Sequence, residues 1–147
     1  MNTRNLAIER PSVSDNTIKV PDRNHPIVME RNSKRIVVIF AGKLLADTCR
    51  ALTLHEGVQP AVHYIHRLDV HMEALEPSPT TSYCPYKGEA SHFHINAGGI
   101  RLADAAWTYR TPYWAVAEIE NYLAFDLDRI EIAGAQPTNQ RDLTVWT

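Results

Sequence analysis

No apolar run in this sequence approaches the roughly 20 residues that a helix needs to cross a bilayer. The opening stretch, MNTRNLAIERPSVSDN, also lacks the apolar centre of a secretory signal. The expected location is therefore the cytoplasm, with no membrane partner. Basic blocks are missing too: 15 Lys and Arg against 17 Asp and Glu give a formal net charge of -2, with a pI near 6.4. The electrostatic footprint of a nucleic-acid binder is absent, and a small molecule is the expected ligand. Cysteine is scarce. Cys49 and Cys84 stand far apart in no C-x-x-C pair, which excludes a zinc knuckle and a thioredoxin-like redox motif. A single disulfide between them is formally open, but a cytosolic chain keeps both thiols reduced. No cofactor and no metal is expected, and neither an internal repeat nor a low-complexity segment is visible.

What is present suits one folded domain. The 147 residues are 44% hydrophobic and 22% charged, enough to bury a core without disulfides or metal. Residues 1–33 carry Pro11, Pro21 and Pro26 among polar residues, with only NTIKV and PIVME looking strand-like. They read as an extended N-terminal arm, either packed along the domain, reaching a second subunit of a homo-oligomer, or partly mobile. Residues 34–133 form the expected β-rich domain, and residues 134–147 an irregular C-terminal tail.

Within the domain, Ile36 to Phe40 is a β-branched run that predicts a strand covered on both faces. Gly42 and Lys43 predict a turn into LLADTCRALTLHE, as a hairpin or short meander. AVHYIHR predicts a further strand, and Asp69 is placed to cap a short helix through HMEAL, ended by Pro77 and Pro79. SHFHIN, NAGG and IRLADAAWTY predict a hairpin. Tyr113, Val116, Ala117, Glu120 and Leu123 recur at helical spacing after Pro112, predicting one helix, and Phe125 to Ile132 a last strand.

Read in order, GKLLADT, LHEG, HYIHRLDV, TTSYCPYKGEA, DAAWTYRTP and AEIENYLAF resemble the motif succession of the domain of unknown function 427 family, over about residues 34–133. The resemblance implies a mainly β fold of coiled antiparallel sheets, similar to a β-tent, with one or two short helices. It implies no settled activity. A nucleotidyltransferase label is sometimes attached to the family, but the Gly-Ser and paired-aspartate pattern of that chemistry is not evident here. His66 departs from the pattern, standing where the family usually has proline. Glu56 gains interest because LHEG is a fixed point of the pattern.

CPYKG, Cys84 to Gly88, is the most informative local feature. Pro85 and Gly88 shape a loop that presents Cys84 and Lys87 together. A nearby ammonium makes a thiolate more available, so Cys84 is a candidate nucleophile beside a cationic Lys87. The alternative is a buried cysteine and a lysine whose stem covers the sheet. Glu56 and Asp69 flank the HYIHR strand as candidate general bases, against a solvated turn for Glu56 and the helix cap for Asp69. Tyr64, His66, Trp107 and Tyr109 are candidate ligand-binding residues. Trp107 and Tyr109 alternate onto one face, where they line a pocket, fill the core, or do both. His63 with His66, and His92 with His94, offer imidazole pairs that would need facing strands to hold a metal. The preferred reading is a small-molecule enzyme of acyl or phosphoryl transfer or hydrolysis, with catalytic Glu56, Asp69, Cys84 and Lys87. Its rivals are a non-catalytic metabolite-binding domain and an assembly subunit acting through its tails. With Lys87 taken as exposed, Lys87→Met is expected to change stability by less than about 1 kcal/mol.

Overall fold

Ile36, Val37 and Val38 are all buried, so the β-branched run has both faces covered, as its lack of alternation requires. This follows from the computed structural model, which describes residues 17–133. The parts of the expected arm and tail at 1–16 and 134–147 lie outside the described residues. Ten strands run in chain order: β1 Ile27–Asn32, β2 Ile36–Phe40, β3 Lys43–Thr48, β4 Ala51–Glu56, β5 Val62–His66, β6 Leu75–Cys84, β7 Gly88–Ala97, β8 Ile100–Tyr109, β9 Tyr122–Phe125 and β10 Glu131–Ala133. Seven form one antiparallel sheet in the order β1-β4-β5-β9-β8-β7-β6, and three form a second in the order β10-β2-β3. The large sheet ends in β1 and β6 and is therefore not a closed barrel. Among the described residues, no helix is long and apolar enough to cross a membrane.

PIVME, read as strand-like within the arm, supplies β1, which pairs with β4 from Ile27↔Glu56 to Asn32↔Ala51, so the sheet begins before Lys34. The β2–β3 turn falls on Ala41 and Gly42, not on Gly42 and Lys43. Both turn residues have positive φ, 51° and 77°, as the right-handed twist of a two-residue hairpin demands. LLADTCRALTLHE does not fold back on itself. β3 pairs with β2, and the chain turns a corner where Arg50 N donates to Thr48 Oγ1, sending β4 into the other sheet. The β7–β8 hairpin forms across Gly98 and Gly99 as expected.

Four expectations fail. Pro77 and Pro79 do not end a segment but lie inside β6, an edge strand whose register with β7 shifts between Pro77 and Thr81; an edge tolerates the missing N–H groups. The helix expected after Pro112 is a 3-10 segment, Trp114–Ile119, kinked at Val116. Asn121, at φ 72°, then reverses the chain so that Leu123 enters β9. Asp69 closes a 3-10 turn, Arg67–Asp69, while the next, Met72–Ala74, follows His71 with no side-chain cap. Phe125 to Ile132 is divided between the end of β9 and β10.

Alternation divides the apolar residues between the two faces of the large sheet. Ile65, Phe93, Ile95, Leu123 and Phe125 join Ile36, Val38 and Leu45 of the small sheet in the principal core. Leu52, Leu54, Tyr64, Ala90, Tyr109 and Ala124 form a second cluster, closed by Val116 and Ile119 of the 3-10 segment. The candidate site lies on this second side.

Candidate functional site

The β6–β7 connection is the CPYKG turn. Cys84 pairs with Gly88 across it, Lys87 N donates to Cys84 O, and Tyr113 N donates to Lys87 O. These bonds fix the direction of the Lys87 side chain, which runs inward and is buried. Its ammonium donates to Glu56 Oε1 at the end of β4, from across the coiled sheet. The second carboxylate oxygen bonds His25 Nε2 at 2.7 Å, and the His25 ring stacks on Tyr86 with centroids 4.0 Å apart.

Residues 17–26 therefore strap one sheet edge to the other. Tyr83 of β6 donates its hydroxyl to Thr17 O, and Lys19 N donates to Pro85 O. His25 reaches Glu56, and Gly57 N returns a bond to Pro26 O. This part of the arm packs on its own domain.

Burial alone would push the Glu56 carboxyl up, but the hydrogen bonds from Lys87 and His25, with their charges, hold it below its ordinary value of 4.5. Burial likewise opposes the charge on Lys87, but Glu56 and the neighbouring Cys84 and Tyr64 raise it above 10.5. Both partners are thus ionised at neutral pH. Glu56, with its folded value depressed, contributes stability above 4.5 that is lost as the pH falls through the folded value. Lys87, with its value raised, contributes stability below 10.5 that is lost as the pH rises through its folded value. Urea unfolding across pH should show an acid decline in the native protein. Glu56→Gln should lose part of that decline; an unchanged slope would remove Glu56 from the acid response.

Beside the ion pair lies a pocket of about 350 Å³ lined by Glu56, Gln59, Val62, Tyr64, Ser82, Lys87, His92, Trp107 and Tyr109. That volume is at the small end of ligand sites. Burial pushes the Tyr64 and Tyr109 phenols up, leaving them neutral. Ser82 Oγ and His92 Nε2 are 2.9 Å apart, while His92 Nδ1 is buried without a partner, the only such side-chain atom among the described residues.

Of the residues singled out from sequence, Glu56, Lys87, Tyr64, Trp107 and Tyr109 share this pocket. Cys84 is half-buried, packs against the second core cluster and is not among the lining residues. Asp69 lies elsewhere, accepting from Thr48 Oγ1 at 2.7 Å and from Arg50 Nε at 2.9 Å. That pairing, in place of the expected helix cap, holds its carboxyl below the ordinary value. His66 is also outside: its Nδ1 accepts from Leu68 N, and its ring meets the edge of Tyr122. The imidazole pairs separate, with His63 bonded to Thr53, His94 accepting from Asp104 N, and His92 facing Ser82. Sequence reasoning missed His25 and Ser82 as site residues and singled out His92 only as half of an imidazole pair with His94. The S-x-C spacing before CPYKG was the available signal for Ser82, since alternation puts it on the same side of β6 as Cys84.

Residues 28–135 match the family model described as Domain of unknown function (DUF427). The chain belongs to this family. No protein of curated function matches it. Two points of the DUF427 motif succession, LHEG and CPYKG, meet here as the Glu56–Lys87 ion pair. The tryptophan and tyrosine of its W-x-Y segment, Trp107 and Tyr109, form the adjoining wall.

Proposed function

We propose that this protein is a small-molecule enzyme that hydrolyses or transfers an acyl or phosphoryl group in the pocket behind the CPYKG turn. The observation that carries the reading is the 2.9 Å contact between Ser82 Oγ and His92 Nε2 in the pocket that also holds the Lys87 ammonium. A hydroxyl beside an imidazole is the pairing that nucleophilic catalysis requires. Ser82 Oγ bonds to the acyl carbon or phosphorus as its proton passes to His92 Nε2. That proton then leaves on the departing alcohol. A water, giving its proton to His92, cleaves the ester on Ser82 and restores the hydroxyl. An ammonium carries three N–H groups, so Lys87 has donors beyond the one engaged by Glu56 for the oxygen that gains charge. Glu56 and His25 act as positioning residues that keep the ammonium charged and aimed. In this reading Ser82 takes the nucleophile's role first sought at Cys84, and Asp69 has none.

The second reading is a non-catalytic binding domain. It is favoured by the unpartnered His92 Nδ1, because a hydrolytic triad orients its histidine through that atom. Turnover of p-nitrophenyl acetate and p-nitrophenyl phosphate by the native protein and Ser82→Ala separates the two. The enzyme reading expects hydrolysis of at least one ester that Ser82→Ala loses. Thermal stabilisation by the ester or its product with no turnover would instead support the binding domain.

A further inference from the structure

A second pocket, of about 310 Å³, opens on the other side of the large sheet and is lined by Arg67, Met72, Leu75, Pro77, Phe93, Thr108, Arg110 and Asn121. Alternation along β8 separates it from the first, since Trp107 and Tyr109 point to one face and Thr108 to the other, where Arg110, just past the strand, also lines the pocket. Leu75 and Phe93 belong to the principal core, so the pocket has an apolar floor. No Asp or Glu lines it, yet two arginines do. Among the described residues Arg67 and Arg110, like Arg23 and Arg31, meet no carboxylate, whereas Arg35, Arg50, Arg101 and Arg129 each do.

The strand register explains why the two arginines come to one cavity. β5 and β9 pair as His66↔Tyr122, and Arg67 N donates to Asn121 O at 2.9 Å, continuing that ladder by one step. β8 and β9 pair as Ala106↔Phe125 and Trp107↔Ala124, so the end of β8, just before Arg110, lies beside the start of β9, just after Asn121. Arg67, Arg110 and Asn121 thus line the same cavity. Thr108 is fixed beneath them by its bond to Tyr122 O at 2.7 Å.

We infer that this pocket is a binding site for a small organic anion, one carboxylate or phosphate group on a compact apolar body. Two arginine forks supply the planar, multidentate recognition that such groups favour, and two exposed cations lining one pocket repel each other until an anion is shared between them. Met72, Leu75 and Phe93 take the apolar body, and a volume near the lower limit of ligand cavities restricts it to about one ring. The inference is independent of the chemistry proposed for the first pocket.

The test uses the full chain with phenyl phosphate, benzoate and uncharged benzyl alcohol, read by calorimetry and by NMR shifts of the Asn121 side-chain amide. The expected result is that at least one anion binds and moves the Asn121 signal while benzyl alcohol does not. The anion that binds distinguishes the phosphate from the carboxylate source. Arg67→Gln and Arg110→Gln should each weaken binding about tenfold or more, and Ser82→Ala should leave it unchanged. Because both arginines are exposed, these variants should stay folded; Arg67→Lys and Arg110→Lys, which retain charge without the fork, should bind with intermediate strength. Binding by neither anion at millimolar concentration, or binding that persists in the Arg67→Gln/Arg110→Gln double variant, overturns the inference.

Discussion

Lys87→Met should unfold with a free energy about 3 kcal/mol lower than that of the native protein, near the lower bound for breaking a buried ion pair. Lys87 is buried at the ion pair, so the loss expected of an exposed lysine, below about 1 kcal/mol, does not apply. Methionine replaces the stem well, so the cost comes from Glu56, left in the interior with a carboxylate whose remaining partner is His25. That surviving bond is the reason for the lower bound. Lys87→Met/Glu56→Leu removes both charges and should recover most of the loss, because an apolar pair of similar volume is often as stable as the ion pair it replaces. Urea denaturation of the native protein, Lys87→Met, Glu56→Leu and the double variant gives the coupling directly. A loss below about 1 kcal/mol in the single variant, or no recovery in the double, would show that the network does not hold the sheet edges together.

The elements that could be read from sequence are those whose local pattern and tertiary role agree. β2 is apolar at every position and buries Ile36, Val37 and Val38 in succession, and β7 and β8 pair around a glycine turn. The elements that could not be read were decided by position in the sheet. β6 carries two prolines, which argue against a strand unless it lies at an edge, and nothing local reveals an edge. The apolar spacing from Tyr113 to Leu123 is helical, but Val116 and Ile119 cover the second cluster while Leu123 enters the principal core. No straight helix serves both.

The site divides the same way. Trp107 and Tyr109 were legible because period two puts them on one face. Of the two flanking acids the motif pattern pointed to Glu56, and the coiling of the sheet brings only Glu56 to Lys87, Asp69 pairing with Arg50. His25 had no local signal at all, being 31 residues from the carboxylate it bonds, within a segment that reads as an arm.

The largest effect expected of any single substitution is that of Ser82→Ala on turnover. Ser82 is exposed at the rim of the pocket and among the described residues its side chain bonds only His92, so its removal should leave the fold within about 0.5 kcal/mol of the native stability. Loss of the attacking oxygen should lower kcat for the hydrolysed ester by at least about 100-fold, the lower end of what a positioned base and its nucleophile contribute. His92→Asn should lose a similar factor, and the double variant should be little worse than either alone, because two groups that act as one unit are not additive. A fluorophosphonate supplies an independent readout: Ser82 Oγ displaces fluoride, His92 accepts the hydroxyl proton, and the protein gains the mass of the phosphonyl group at Ser82. Lys87→Met, to the extent that it stays folded, should be labelled more slowly because the developing oxyanion loses its cation. If Ser82→Ala turns over the ester at the native rate, or the label is found on Cys84 instead, the serine–histidine assignment fails and the thiol of the CPYKG turn returns as the nucleophile to test.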